Sequence, residues 1–69
     1  MLNLNGLDRF GGLPIGTVFS LPGRQEETLQ KSDRYYARPV RRTRNQWEII
    51  GDQKGGFFDT DPVIVLDNR

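Results

Sequence analysis

Five arginines, Arg34, Arg38, Arg41, Arg42 and Arg44, fall within eleven residues that also hold Tyr35 and Tyr36 and no acid. A guanidinium presents a planar fork of N–H donors, so arginines at this density suit bidentate contacts to carboxylates or phosphates. The tyrosines, and Trp47 just beyond, add flat faces that can cover an apolar side chain or stack on a base. The run therefore admits two partners, a protein with an acidic surface or a nucleic acid. A third reading gives it no direct role, because arginines on an edge strand also keep that edge soluble and unpaired.

Other chemistry is sparse. The chain has no histidine and no cysteine, which removes His/Cys zinc sites and the usual Ser-His-Asp and Cys-His arrangements. Glu26, Glu27 and Glu48 are the carboxylates nearest to an acid–base pair, and nothing in the pattern sets them in a cleft. Asp59-Thr60-Asp61 supplies fewer oxygens than the six to eight that Ca²⁺ takes, and suits an Asx turn better. Gly51 to Gly56 lacks the spacing of a phosphate-cradling loop and no helical pattern follows it. Neither an enzyme nor a cofactor is expected. Phe57-Phe58 reads as one residue for the core and one free to face outward, where it could serve a protein contact or a homodimer seam.

At 69 residues, the chain makes one domain. A domain of this size buries roughly 60 % of its unfolded surface, so its stability margin is thin. Net charge is only +1 and the pI about 8.2, but the charge is unevenly spread: the arginine run is followed by Asp52, Asp59, Asp61 and Asp67 against Lys54 and Arg69. No stretch approaches the ~18 apolar residues of a membrane span. Met1 to Gly6 has neither the basic nor the apolar region of a signal peptide. With no cysteine, the composition fits the cytoplasm.

The elements that must hold the arginines follow from pattern. Residues 1–12 form an arm, in which Leu7 and Phe10 could make one helical turn that either frays or covers an open side of the core. Residues 13–69 form a small β domain. Ile15 to Leu21 is the first strand, closed by Pro22-Gly23. Arg24 to Asp33, with Leu29 its only apolar residue, reads as a solvated loop or one exposed helical turn across Glu26 to Gln30. Arg34 to Thr43 and Gln46 to Ile50 form a hairpin with Arg44-Asn45 at its tip, Asn45 tolerating the left-handed conformation such tips use. That register sets Arg42 opposite Trp47, Val40 opposite Ile49, and Arg41 opposite Glu48 as an ion pair. Pro39 places its strand at an edge or in a bulge. Val63 to Leu66, apolar on both faces, reads as the central and most buried strand. The expected core is Ile15, Val18 or Phe19, Leu21, Tyr36, Val40, Trp47, Ile49, Val63, Val65 and Leu66. The fold class is all-β: a small SH3-like barrel or strongly curved antiparallel sheet of four to five strands with an N-terminal arm.

Three segments, Leu13-Pro14-Ile15-Gly16-Thr17-Val18, Asn45-Gln46-Trp47-Glu48-Ile49-Ile50-Gly51 and Pro62-Val63-Ile64-Val65-Leu66, resemble small uncharacterised accessory proteins encoded by bacteriophages of actinobacteria. That resemblance implies an intracellular interaction protein, acting in a host cytoplasm, with no catalytic residues to carry over. The expected function is a non-enzymatic module that binds a host or phage protein with an acidic surface. Its contact residues would be Arg38, Arg41, Arg42, Arg44 and Tyr35, with Phe57 or Phe58. The alternatives are nucleic-acid binding through the same arginines, or a structural phage protein that self-associates as a homo-oligomer.

Overall fold

The structure, a computed structural model, describes residues 8–67. Six antiparallel strands form one sheet that curves but does not close: β1 (Asp8–Arg9), β2 (Val18–Leu21), β3 (Arg24–Asp33), β4 (Tyr36–Arg42), β5 (Trp47–Ile49) and β6 (Pro62–Asp67), in spatial order β1-β6-β2-β3-β4-β5. A single 3-10 turn, Phe10–Gly12, follows β1. This is the all-β, strongly curved sheet that the pattern implies, with two strands, β1 and β3, where an arm and a loop are expected.

Local chemistry explains the joints. Pro22 and Gly23 close the β2–β3 hairpin between the paired Leu21 and Arg24, and Gly23 takes φ +81°, the left-handed position that follows proline in a type II turn. In the β4–β5 hairpin Val40 faces Ile49, Arg41 faces Glu48 and Arg42 faces Trp47, the expected register. Its tip is Arg44-Asn45, closed by the Thr43 N–H and hydroxyl, both donating to the Gln46 carbonyl at 2.8 Å. No described non-glycine residue has positive φ, so Asn45 does not use the left-handed conformation; the threonine hydroxyl supplies the closure instead.

Pro39 shapes the middle of the sheet. Its carbonyl accepts the Ile50 N–H at 2.9 Å, but it has no N–H to return. The ladder stops there, and the partner chain detours through residues 51–53 before Lys54 pairs with Ala37. On its other side, β4 pairs with β3 only as far as Leu29↔Pro39. Residues Val40 to Arg42 thus continue with β5 alone, and the hairpin tip is free to bend across the sheet.

The principal core lies on one face of the sheet. Phe19, Leu29, Ala37 and Val63 are buried there with Phe10 and Leu13, while Leu21, Phe57 and Val65 pack at its margin. Phe10 sits edge-on to Phe19 at 5.6 Å and stacks on Phe57 at 4.8 Å. Two backbone bonds dock the arm: the Phe10 N–H donates to the Asp61 carbonyl at 2.8 Å and the Gly11 N–H to that of Asp59 at 3.0 Å. A Cβ on Gly11 would lie 2.6 Å from the Asp59 Cβ, so only glycine permits this approach. Lys31, 5 % exposed, completes the joint. Its Nζ donates to the carbonyls of Phe10 (3.0 Å) and Leu13 (2.9 Å) and lies 4.5 Å from the Phe10 ring centre.

Several sequence expectations are corrected. Arg24–Asp33 is a ten-residue strand, neither loop nor helical turn. Alternate residues Leu29 and Lys31 are buried while Gln30 between them is half-buried, the period of a strand with a lysine at a core position. The first strand begins at Val18; Ile15 stands 64 % exposed in the Pro14–Thr17 turn. Val18 and Phe19 are both buried, one on each face. Tyr36, Ile49 and Leu66 are exposed rather than core, and Trp47 is half-buried. β6 is an interior strand, yet Val63 alone is fully buried along it; β2, with three consecutive buried residues, is the most enclosed. Of the arm, Phe10 covers the core and is not frayed, whereas Leu7 lies outside the described residues.

Because Phe10 contributes the largest buried side chain of the arm, Phe10→Ala is expected to lower unfolding free energy by about 3–5 kcal/mol, most of what a small domain has. Urea denaturation measures this; a loss below about 1 kcal/mol would show that the arm is not part of the core.

Candidate functional site

Side chains alternate along β4, so Tyr36, Arg38, Val40 and Arg42 share one face, and Trp47 and Ile49 extend it across β5. This face lies opposite the principal core, because Ala37 of β4 points into that core. Val40 and Val18 are buried beneath it. At its rim Ile49 is 49 % and Tyr36 42 % exposed.

The indole of Trp47 is held in place. Its Nε1 donates to the Asp67 carboxylate at 2.8 Å, although β2, β3 and β4 separate β5 from β6 in the sheet. That contact is possible only because the sheet curls, and it bridges the gap a closed barrel would seal. The Arg42 guanidinium lies 5.2 Å from the Trp47 ring centre, a cation–π distance. Arg38 is exposed opposite Gln30. Among the described residues neither Arg38, Arg42 nor Arg44 forms an ion pair.

The structure separates the other expected contact residues. Arg41 lies on the reverse of the hairpin, its Nε 2.8 Å from Glu48 Oε1; an exposed pair of this kind is worth at most about 1 kcal/mol. Arg44 is exposed at the tip. Tyr35 stands in the β3–β4 turn, at the far end of β4 from Arg44, with the Arg34 guanidinium 5.2 Å from its ring. Phe57 is packed against Phe10 and Phe19. Phe58 is 66 % exposed, in a turn where its N–H donates to the Asp61 carboxylate at 2.9 Å.

One continuous surface therefore joins Arg38 and Arg42 with Tyr36, Trp47 and Ile49. The expected register already sets Arg42 opposite Trp47, but Tyr36, Trp47 and Ile49 are expected in the core, and the structure exposes Tyr36 and Ile49 and half-buries Trp47. The signal for their exposed placement was indirect: Phe10 of the arm and Leu29 of residues 24–33 take up core space in their stead. Among the described residues no cluster of acidic side chains is arranged to hold a metal ion, and no helix is long and apolar enough to cross a membrane. Comparison with known proteins found no matching family model, no similar curated protein and no similar solved structure.

The Trp47–Asp67 bond should couple the two sides of the curl. Trp47→Phe and Asp67→Ala are each expected to destabilise by about 1–3 kcal/mol, with a double-mutant coupling of about 1–2 kcal/mol. Arg41→Ala should change stability by less than about 0.5–1 kcal/mol. Additive effects of the first two substitutions would show that the indole bond does not hold the curl.

Proposed function

We propose that this protein is a non-catalytic binding module that docks on an acidic protein surface through Tyr36, Arg38, Arg42, Trp47 and Ile49. The observation that carries this reading is the pairing, on one exposed face, of two arginines without carboxylate partners among the described residues and half-exposed apolar side chains. The cations would steer the encounter and the aromatic and aliphatic groups would be buried as anchors. The resemblance to phage accessory proteins makes the setting a host cytoplasm and the partner a host or phage protein.

Protein is favoured over nucleic acid by the surroundings of Trp47. Arg42 lies against the indole ring and Asp67 holds its Nε1, which leaves a poor platform for a base.

The test is selection of a displayed random peptide library at about 0.15 M salt, against the wild-type chain and the double variant Arg38→Glu/Arg42→Glu. The wild type should enrich peptides with several Asp or Glu residues beside an apolar one, and the variant should lose them at least tenfold. Enrichment without acids, or equal capture by the variant, would overturn the reading. An oligonucleotide bound more tightly than any selected peptide, with affinity falling as about the second or third power of salt, would replace it with nucleic-acid binding.

A further inference from the structure

We infer that the free edge of β5 takes an extended acidic segment of the partner as an added strand, an inference that rests on the docking reading above. The hydrogen-bond register decides which groups are on offer. Thr43 donates to the Gln46 carbonyl and Ile50 to the Pro39 carbonyl. In an antiparallel ladder bonded pairs alternate with non-bonded ones. Thr43–Gln46, Arg41–Glu48 and Pro39–Ile50 are therefore the bonded pairs, while Arg42–Trp47 and Val40–Ile49 are not. The backbone N–H and C=O of Trp47 and Ile49 point away from β4. β5 ends the strand order, so no strand among the described residues meets them.

Edges left open in monomeric proteins are usually guarded by lysine, proline or an inward charge. This one is short, three residues, and has neither lysine nor proline. Its only charge, Glu48, is engaged by Arg41, and its other two side chains are Trp47 and Ile49. An added strand would place alternate side chains over Trp47 and Ile49, on the face that bears Arg38 and Arg42, which selects carboxylates there. A second copy of this chain is a poorer occupant: pairing two β5 edges would bring together two hairpins, each with three arginines lacking an ion pair among the described residues. Strand addition is an established mode of peptide capture, with main-chain bonds supplying affinity and alternate side chains supplying selectivity.

The experiment uses the full chain and a capped eight-residue probe alternating glutamate and valine, (Glu-Val)4, followed by amide hydrogen exchange read residue by residue. Saturating probe should slow exchange of the Trp47 and Ile49 amides at least tenfold and leave that of Glu48, already bonded to Arg41, nearly unchanged. A probe N-methylated on every second residue should lose binding in at least one of its two methylation phases. Ile49→Pro, which removes an outward N–H the fold does not use, should retain the β-sheet circular dichroism spectrum and bind at least tenfold more weakly. If Ile49→Pro unfolds, the methylated probes decide alone. Binding without protection of Trp47 and Ile49 would overturn strand addition while leaving the acidic docking surface standing. Absence of binding, or equal protection by (Lys-Val)4, would overturn the inference. So would concentration-dependent protection of these amides with no probe present, which would assign the edge to a second copy.

Discussion

A buried ammonium holds this small domain together. Lys31 sits in β3 at a position where a strand of this register turns inward, and its charge meets no carboxylate among the described residues. Moving such a group out of water is costly by several kcal/mol unless its protons are bonded. Here two of them go to the carbonyls of Phe10, which opens the 3-10 turn, and of Leu13, which caps it, and the Phe10 ring lies alongside. The same contact therefore solves two problems. It gives the lysine partners and satisfies the arm's carbonyls as Phe10 enters the core, where it stacks on Phe57 and meets Phe19 edge-on.

With the arm filling one face, the aromatic side of the hairpin stays outside the principal core. Ala37 suffices toward the core, being small, because Phe10 and Leu29 occupy the space. Tyr36 and Ile49 then remain exposed on the opposite face beside Arg38 and Arg42. Pro39 adds the second condition. By ending both of its ladders it frees the β4–β5 tip to bend until Trp47 reaches Asp67. Core architecture and exposed surface are consequences of the same two residues, Lys31 and Pro39, one supplying a donor and the other withholding one.

Much of this was legible from residue type and spacing. The β4–β5 register followed from a two-residue tip between Thr43 and Gln46, and the Arg41–Glu48 pair followed from the register. Pro22-Gly23 announced its turn; Pro39 sits neither at an edge nor in a bulge, but in an interior strand whose ladders stop at it. Phe57 and Phe58 divided between inside and outside as two consecutive apolar residues must when one flank is core. What was not legible turns on charge in unexpected places. A segment with Leu29 as its one apolar residue does not announce a central strand, because pattern reading assigns lysine to solvent, and only the distant carbonyls of Phe10 and Leu13 make Lys31 acceptable inside. With residues 24–33 read as solvated, Tyr36, Trp47, Ile49 and Leu66 take their place in the expected core. The misplacement of these four side chains and that of β3 are one misreading.

The direct measurement is the unfolding free energy of Lys31→Met, which keeps the length and apolar stem of the side chain and removes only its charge and donors. If the ammonium is what secures the arm, stability should fall by about 2–3 kcal/mol, and the amides of Phe10 and Gly11 should exchange faster than those of β2. A variant as stable as the wild type, or more stable as happens when a buried charge is replaced by a well-packed apolar group, would contradict this: the arm would then be held by Phe10 packing alone.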